Sequence, residues 1–468
     1  SGYPKLISSL TPCFLMSPDS IAKFIEPGKL KFDIVVFDEA SQITVSSAIG
    51  ALGRATSAVI VGDSRQMPPT LVMGPKADDD FDDDVFGSDD PVFVDAESIL
   101  DECIDSGLDQ EWLAWHYRSK DELLIKFSND KYYDGRLSSF PSPWQNVPNC
   151  GMEYHRVQGQ FDHGGKRHNE VEADAIVAEI GRRVNDPELS KFSIGVVTLN
   201  LQQRQLILDK LGSSKDPKLL NIFESDDDSE NLFVLNLESV QGRERDVIMF
   251  STAFSPRVGG GKMPLNFGPL TARGGERRLN VAVTRARRQY VIFSSFDAEE
   301  LSRATSLGMV HLYEYLKLAR AVSEGERPVT TVASPPGDDM HREVVAEKLR
   351  ARGLIVETAI GLSSFKVDLG VTLPGFEDRR LVGILLDGQV WASRPLVLDR
   401  DALPVTVLEN MMGWTSIARV WLPSWRQDAD EIVDDIYDAA VRAADAAVST
   451  PEADRKIEQL EGSASDLG

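Results

Sequence analysis

The stretch Ile34-Val35-Val36-Phe37-Asp38-Glu39-Ala40-Ser41-Gln42 decides how this chain is read. An apolar run ending in paired acids predicts a buried parallel strand whose C-terminal tip presents carboxylates at the sheet edge, where open α/β sheets bind ligands. One carboxylate there suits a metal ion, and a neighbouring one suits polarisation of an attacking water. The same letters also fit a strand that ends in a solvated turn, so a second landmark is needed.

Ala58-Val59-Ile60-Val61-Gly62-Asp63 supplies it: another short apolar run, followed by Ser64-Arg65-Gln66-Met67-Pro68-Pro69. The Pro-Pro pair stiffens the exit from this strand, so that the Gln66 amide would be held rigidly over a γ-phosphate. At this point the chain resembles the superfamily 1 helicases, in the branch of the nonsense-mediated-decay RNA helicase and its DNA-acting relatives. Motif II of that family reads Asp-Glu-Ala-x-Gln and motif III reads Gly-Asp-x-x-Gln-Leu-Pro-Pro. Asp38-Glu39-Ala40-Ser41-Gln42 and Gly62-Asp63-Ser64-Arg65-Gln66-Met67-Pro68-Pro69 match them in order. The resemblance implies RecA-like parallel-sheet domains that close on ATP and Mg²⁺, with Asp38 on the metal, Glu39 as base toward the attacking water and Gln66 sensing the γ-phosphate.

Length and composition bound the rest. A chain of 468 residues has room for about three domains at one per 100–200 residues. Its hydrophobic content of 42% and charged content of 26% are those of an ordinary globular protein. No run of about 18 apolar residues occurs and no charged-then-apolar leader opens the chain, which predicts neither a membrane span nor export. Cys13, Cys103 and Cys150 are odd in number and far apart, which suits reduced thiols in the cytoplasm better than disulfides or zinc. The net charge of −24 runs against nucleic-acid binding. Much of the acid, however, lies in two runs, Asp78 to Asp90 and Glu224 to Glu230, of the kind that form solvated loops. Arg273, Arg277, Arg278, Arg285, Arg287 and Arg288 are expected to form a local positive patch.

In chain order, Cys13 to Pro18 reads as a strand, with Asp19 or Ser20 capping the following helix. A phosphate-cradling Gly-x-x-x-x-Gly-Lys-Ser/Thr does not occur in the 468 residues. The expectation is therefore the C-terminal part of a longer protein, with its first RecA-like domain beginning mid-sheet. Alone, such a fragment should hydrolyse ATP poorly. The helicase resemblance assigns residues 1–110 to that partial domain. Residues 111–322 become the second RecA-like domain. There Trp115-His116-Tyr117-Arg118 matches the end of motif IV, and an Arg at that place reaches a γ-phosphate from the second lobe. Thr198 and Gln203 are what remains of Thr-Pro-Tyr-x-x-Gln, and Gln203 is carried over as a nucleotide contact. Gln241-Gly242-Arg243-Glu244 matches motif V. Gly242 would allow close phosphate approach, Glu244 would accept from a ribose hydroxyl, and Ser251 on the next strand would touch the nucleic-acid backbone. Arg278-Leu279-Asn280-Val281-Ala282-Val283-Thr284-Arg285-Ala286 matches motif VI, with Arg285 as the second arginine finger.

A Pro/Gly-rich linker is expected over 323–339, an independent unit over 340–447 and a frayed tail over 448–468. Helix, three strands, helix, strand, helix in that unit resembles the restriction-endonuclease-like domains related to very-short-patch repair endonucleases. Asp368 and Asp387 fall on the family's acid-bearing strands, and Glu343 offers a further acid. The family's Glu, however, falls on Leu385, and Leu cannot ligate a metal. The domain is therefore expected to be inert in cleavage, serving nucleic-acid binding or assembly. The fold class is α/β throughout. The expected partners are single-stranded nucleic acid, DNA rather than RNA, and the N-terminal remainder of the same protein, with room for an oligomer and no membrane. The rival readings are a non-catalytic module that binds single-stranded nucleic acid or serves as a scaffold, its ATPase abandoned, and an active helicase-nuclease.

Overall fold

The computed structural model describes residues 10–73, 92–95, 97–144, 149–224, 232–257, 259, 261–326, 328 and 336–449. The acidic runs over 78–90 and 225–230 lie outside them, as do most of the expected linker and the tail beyond Ser449. Three sheets carry the fold, and each follows from the period-two alternation of its strands.

In the first lobe β1 (Phe32–Phe37) and β2 (Ala55–Ile60) pair in parallel, Phe37 opposite Ile60. Val35, Phe37 and Ile60 turn inward onto Ala48 and Ala51 of the helix Val45–Leu52 and onto Ile99 of the helix Ile99–Asp105. The expectation of a strand buried on both faces fails here, because Ile34 and Val36 are 52% and 58% exposed on the opposite face. Residues 13–17 are not a strand but irregular, and the helix Pro18–Phe24 is capped by Ser17 rather than by Asp19 or Ser20.

The second lobe is a five-stranded parallel sheet built from β3 (Gly151–Arg156), β4 (Ile194–Thr198), β5 (Phe233–Asn236), β6 (Arg245–Ser251) and β7 (Ala286–Ser294), in the order β3-β7-β6-β4-β5. Alternation along β6 covers both faces. Val247 and Met249 pack with Ile176, Ile180 and Ile207 of the helices Glu170–Asn185 and Leu201–Gly212. Ile248 and Phe250 pack with Leu279, Val283, Leu312 and Tyr315 of the helices Gly275–Val283 and Leu307–Ser323. Gly275 has to be glycine, since a Cβ there would stand 2.0 Å from the Leu270 carbonyl oxygen.

The last domain holds β8 (Ile355–Ile360), β9 (Val367–Thr372), β10 (Val382–Leu386) and β11 (Ser416–Val420) in sequence order. The first two pairings are antiparallel and the last is parallel. Leu369, Val371, Ile384 and Leu386 face the helices Pro336–Ala351 and Ala429–Ser449, while Val367 and Leu385 face Val407, Leu408 and Trp414. Phe140 of the second lobe is buried in that second cluster, so the two domains share a core there. The helix beginning at Pro336 takes the last four residues of the expected linker. None of the described helices is long and apolar enough to cross a membrane.

Candidate nucleotide cleft and nuclease-like site

The tip of β1 turns sharply at Glu39, which adopts a left-handed backbone (φ 51°) before the short turn Ala40–Gln42. A non-glycine residue held in that region costs on the order of 1 kcal/mol and persists only where its surroundings fix it. Several contacts do so. The Glu39 N–H donates to Asp38 Oδ1 at 2.9 Å, and Gln42 Nε2 donates to Glu39 Oε2 at 3.1 Å. The neighbouring strand closes in because Gly62 lacks a side chain, and a Cβ there would lie 2.9 Å from the Ser41 nitrogen. Both carboxylates are exposed. Asp38 suits Mg²⁺, a hard ion that takes one or two protein carboxylates and fills the rest of its shell with phosphate and water. The described residues contain no cluster of three or more acidic, His or Cys side chains that could hold a metal ion.

Motif III is tied across to the second lobe. Asp63 Oδ2 accepts from Gln66 Nε2 at 2.9 Å and from the Tyr133 hydroxyl at 2.7 Å. Asn280 Nδ2 in turn donates to that hydroxyl at 3.0 Å and to the Arg65 carbonyl at 2.9 Å. Burial, with Asp63 alongside, raises the Tyr133 pKa and keeps it a donor. The Gln66 amide is thus spent on Asp63 in this conformation.

Arg285 is buried, its Nε on the Val281 carbonyl at 2.7 Å and its Nη2 on Thr284 Oγ1 at 3.0 Å. Burial brings its pKa down to about 10 and the nearby Arg118 charge adds to this, while Glu244, Tyr133 and Glu39 act in the opposite sense. The Glu39 carboxylate of the first lobe and the Arg118 and Arg285 guanidinium groups of the second therefore lie within electrostatic reach of one another. Arg118 Nε meets Glu244 Oε2 at 2.7 Å, and Arg287 bridges Glu244 at 3.8 Å and Asp246 at 2.9 Å. Gly242 has a positive φ of 78° in an open loop, with nothing near the space a side chain would occupy.

Gln203 does not join this group. It is fully buried, its Oε1 accepting from the Asn169 N–H at 2.8 Å and its Nε2 donating to the Asn169 carbonyl at 3.2 Å. Nor does Ser251 face a ligand, since its hydroxyl is buried and donates to Glu172 Oε1 at 2.7 Å. The expected arginine patch is likewise divided. Arg278 is buried on Glu238 at 2.8 Å, Arg285 is inside, Arg287 is on Asp246, and Arg288 lies over Phe192, which leaves Arg273 exposed and Arg277 half-buried. Sequence reasoning gave no role to Tyr133, Asn280 or Asp63. Asn280 and Asp63 stood inside quoted motifs, whereas Tyr133, which closes the helix Leu123–Tyr132, belongs to none of them.

In the last domain Asp368 Oδ2 accepts from the Leu386 N–H at 2.8 Å, and Arg342 Nη2 approaches its Oδ1 at 3.6 Å. Both oxygens of Asp387 accept from the Leu422 N–H, at 2.9 and 3.1 Å, at the start of the helix Leu422–Gln427. Glu343 points away, exposed and paired with Arg350 at 3.5 Å, so the inward position on its helix belongs to Arg342. Leu385 is buried. Around Asp368 arginines lie over aromatic rings, with Asp401 paired to Arg400 among them. Arg394 lies over Trp115 and Phe365, Arg400 over Trp391 and Arg419 over Trp421. Burial lowers the Arg394 and Arg419 pKa values, opposed first by Asp399 at Arg394 and by Asp401 at Arg419, and more weakly by Asp368 at both.

Comparison with known proteins finds three family matches along the chain. An AAA domain family (AAA_11) matches residues 19–73, a second AAA domain family (AAA_12) matches 96–297, and the REase_MTES_1575 family matches 341–439. The uncharacterized ATP-dependent helicase MG140 of Mycoplasma genitalium is 30% identical over 327 residues, 69% of this chain and 28% of that protein. The DNA replication ATP-dependent helicase/nuclease DNA2 of Gallus gallus is 25% identical over 273 residues, 56% of this chain and 23% of that protein. The chain thus spans less than a third of the length of these relatives. Among solved structures, the PRRSV helicase aligns at 14% identity and a TM-score of 0.26, covering 59% of this chain and 37% of its own. The chain carries superfamily 1 helicase domains followed by a restriction-endonuclease-like domain.

Proposed function

We propose that this chain, with its superfamily 1 helicase domains and the restriction-endonuclease-like domain behind them, is the C-terminal portion of a longer ATP-driven translocase that works along single-stranded nucleic acid, DNA rather than RNA, in the cytoplasm. The branch of the nonsense-mediated-decay helicase remains our assignment within the superfamily, on motifs II, III and VI. The observation that carries the reading is the hydrogen-bond chain Asp63–Tyr133–Asn280, with Asn280 also on the Arg65 carbonyl, which joins motif III of the first lobe to the motif VI segment that holds Arg285 in the second. A cleft lined by acids on one side and guanidinium groups on the other is what a triphosphate and its cation require.

Bound Mg²⁺–ATP would supply the anhydride to be broken and a cation to offset its charge. This chain's residues do the rest. Asp38 holds the cation. Glu39, its carboxylate oriented by Gln42, takes the proton from the attacking water. Arg118 leaves Glu244 to meet the transferred phosphoryl oxygens, and Arg285 adds the second positive charge. Asp63, Tyr133 and Asn280 transmit closure between lobes, since their hydrogen bonds run from motif III to motif VI. The phosphate-cradling loop would come from sequence outside these residues.

Glu39→Gln in the full-length protein should lower ATP turnover by at least about a hundredfold, the scale of a lost general base, while nucleic-acid binding is kept. Unchanged turnover would overturn the reading. For the last domain we infer binding without cleavage. Leu385 stands where an acid is needed and Arg342 brings a fixed positive charge to Asp368, where a metal would otherwise be drawn.

A further inference from the structure

The segment that carries Arg118 is short and mostly irregular, yet it is held from both sides. Trp115–His116 runs parallel to Ser138–Ser139, and the Lys120 N–H donates to the Arg287 carbonyl on β7 at 2.7 Å. Those contacts fasten it to its own lobe. On the other side several fastenings come from the restriction-endonuclease-like domain. Lys120 Nζ donates to the Met411 carbonyl at 2.9 Å. The buried Glu122 carboxylate accepts from the Leu362 N–H at 3.1 Å and from Ser139 Oγ at 2.6 Å. Ser139 N–H donates to Ser363 Oγ at 2.9 Å, and Trp414 Nε1 donates to the Pro141 carbonyl at 2.8 Å.

The aromatic contacts repeat the pattern. Trp115 stacks on Phe140 with ring centroids 5.0 Å apart and meets Phe365 edge-on at 5.7 Å. The Arg394 guanidinium then covers Trp115 at 4.7 Å and Phe365 at 5.1 Å. Buried, interlocked contacts of this kind behave as one packed core and do not slide, so a change at Arg394 or Phe365 reaches Trp115, three residues before Arg118.

We propose that the restriction-endonuclease-like domain is a positioning element of the nucleotide cleft: through Phe365, Arg394, Leu362 and Met411 it fixes the 115–122 segment and thereby sets where Arg118 stands. This rests on the reading above that Arg118 serves ATP turnover. It gives the domain work that needs no metal. It also makes the domain move as one body with the second lobe, so that whatever occupies the surface around Arg394 is coupled to the ATP cycle.

The test is steady-state ATP turnover by the full-length protein with a single-stranded DNA oligonucleotide, comparing Arg394→Ala, Phe365→Ala, Phe365→Leu, Arg118→Ala and the pair Arg394→Ala/Arg118→Ala. Arg394→Ala and Phe365→Ala should each lower kcat about tenfold at saturating oligonucleotide, within what an ångström-scale misplacement costs, with KM for ATP unchanged. Phe365→Leu, which refills most of the volume, should recover at least half of the lost rate. The pair should be no slower than Arg118→Ala alone, because both changes act through one group. Wild-type kcat in both domain variants, or a pair whose losses multiply, would overturn the proposal. Should Phe365→Ala fail to fold, half-buried Arg394 carries the test. If Arg118→Ala itself turns over at the wild-type rate, the fault lies in the reading of the cleft and not in the brace.

Discussion

Glu172 shows how one buried group shapes the second lobe. Its carboxylate is fully buried and receives the Ser251 hydroxyl and the Ala253 N–H at 2.7 Å and the Ser295 hydroxyl at 2.9 Å. Ala253 has a left-handed backbone (φ 61°), so this acid clamps a strained turn at the end of β6. Burial outweighs these hydrogen bonds and pushes the Glu172 pKa up to about 7. The unfolded chain releases this proton near the ordinary carboxylate value and the folded chain holds it to about 7. The folded state therefore binds the extra proton between those values, and its stability falls as pH rises through that window. Urea unfolding at pH 5 and pH 8 should show the wild type losing on the order of 2–3 kcal/mol from this group, an increment that Glu172→Gln removes. None of this was legible in the sequence, where Glu172 is one acid among several on an amphipathic helix and Ser251 looked like a backbone contact. That Asp38 and Glu39 stand at the tip of a strand was legible, because an apolar run ending in acids fixes that place whatever surrounds it. Gln203 was misplaced because letters give a residue's neighbourhood but not the direction of its side chain.

At the scale of elements, the links between the lobes among the described residues combine the polar chain Asp63–Tyr133–Asn280 with Met67, which is buried in the second lobe's core. Tyr133→Phe removes the hydroxyl that joins Asp63 to Asn280. A net hydrogen bond of this kind contributes about 1 kcal/mol, and the loss should appear as a several-fold drop in kcat with unfolding stability nearly unchanged. A variant that lost stability and kept kcat would make the hydroxyl merely structural. The contact between the second lobe and the last domain is of the other type. Phe140 is 1% exposed, and Phe140→Ala should destabilise the pair by about 3–5 kcal/mol, measurable as a single lowered unfolding transition. Two independent transitions in the wild type would contradict a shared core. The strands and helices on each side were readable from periodicity. This contact was not, because a buried Phe between Ser139 and Pro141 carries no period, and the linker composition suggested a loose tether.

For the whole molecule, the first lobe explains why strand prediction was right and burial prediction wrong. Its two strands form where the apolar runs predict them, but one apolar face, with Ile34 and Val36, is left uncovered among the described residues. Burial is a property of what packs on a strand, and the sequence of the strand does not contain it. The last domain makes a matching prediction. With Arg342 on Asp368 and Leu385 in place of an acid, the full-length protein should show no Mg²⁺- or Mn²⁺-dependent nicking of DNA. Nicking that disappears in Asp368→Ala would show that the domain cleaves after all. The central claim, that acids of one lobe and arginines of the other close on one triphosphate, is tested most directly by trapping ADP with fluoroaluminate, a mimic of the transferred phosphoryl group, on the full-length protein. The wild type should retain the trapped nucleotide through gel filtration, whereas Arg118→Ala and Arg285→Ala should bind ATP yet fail to trap. Equal trapping by all three would contradict the account.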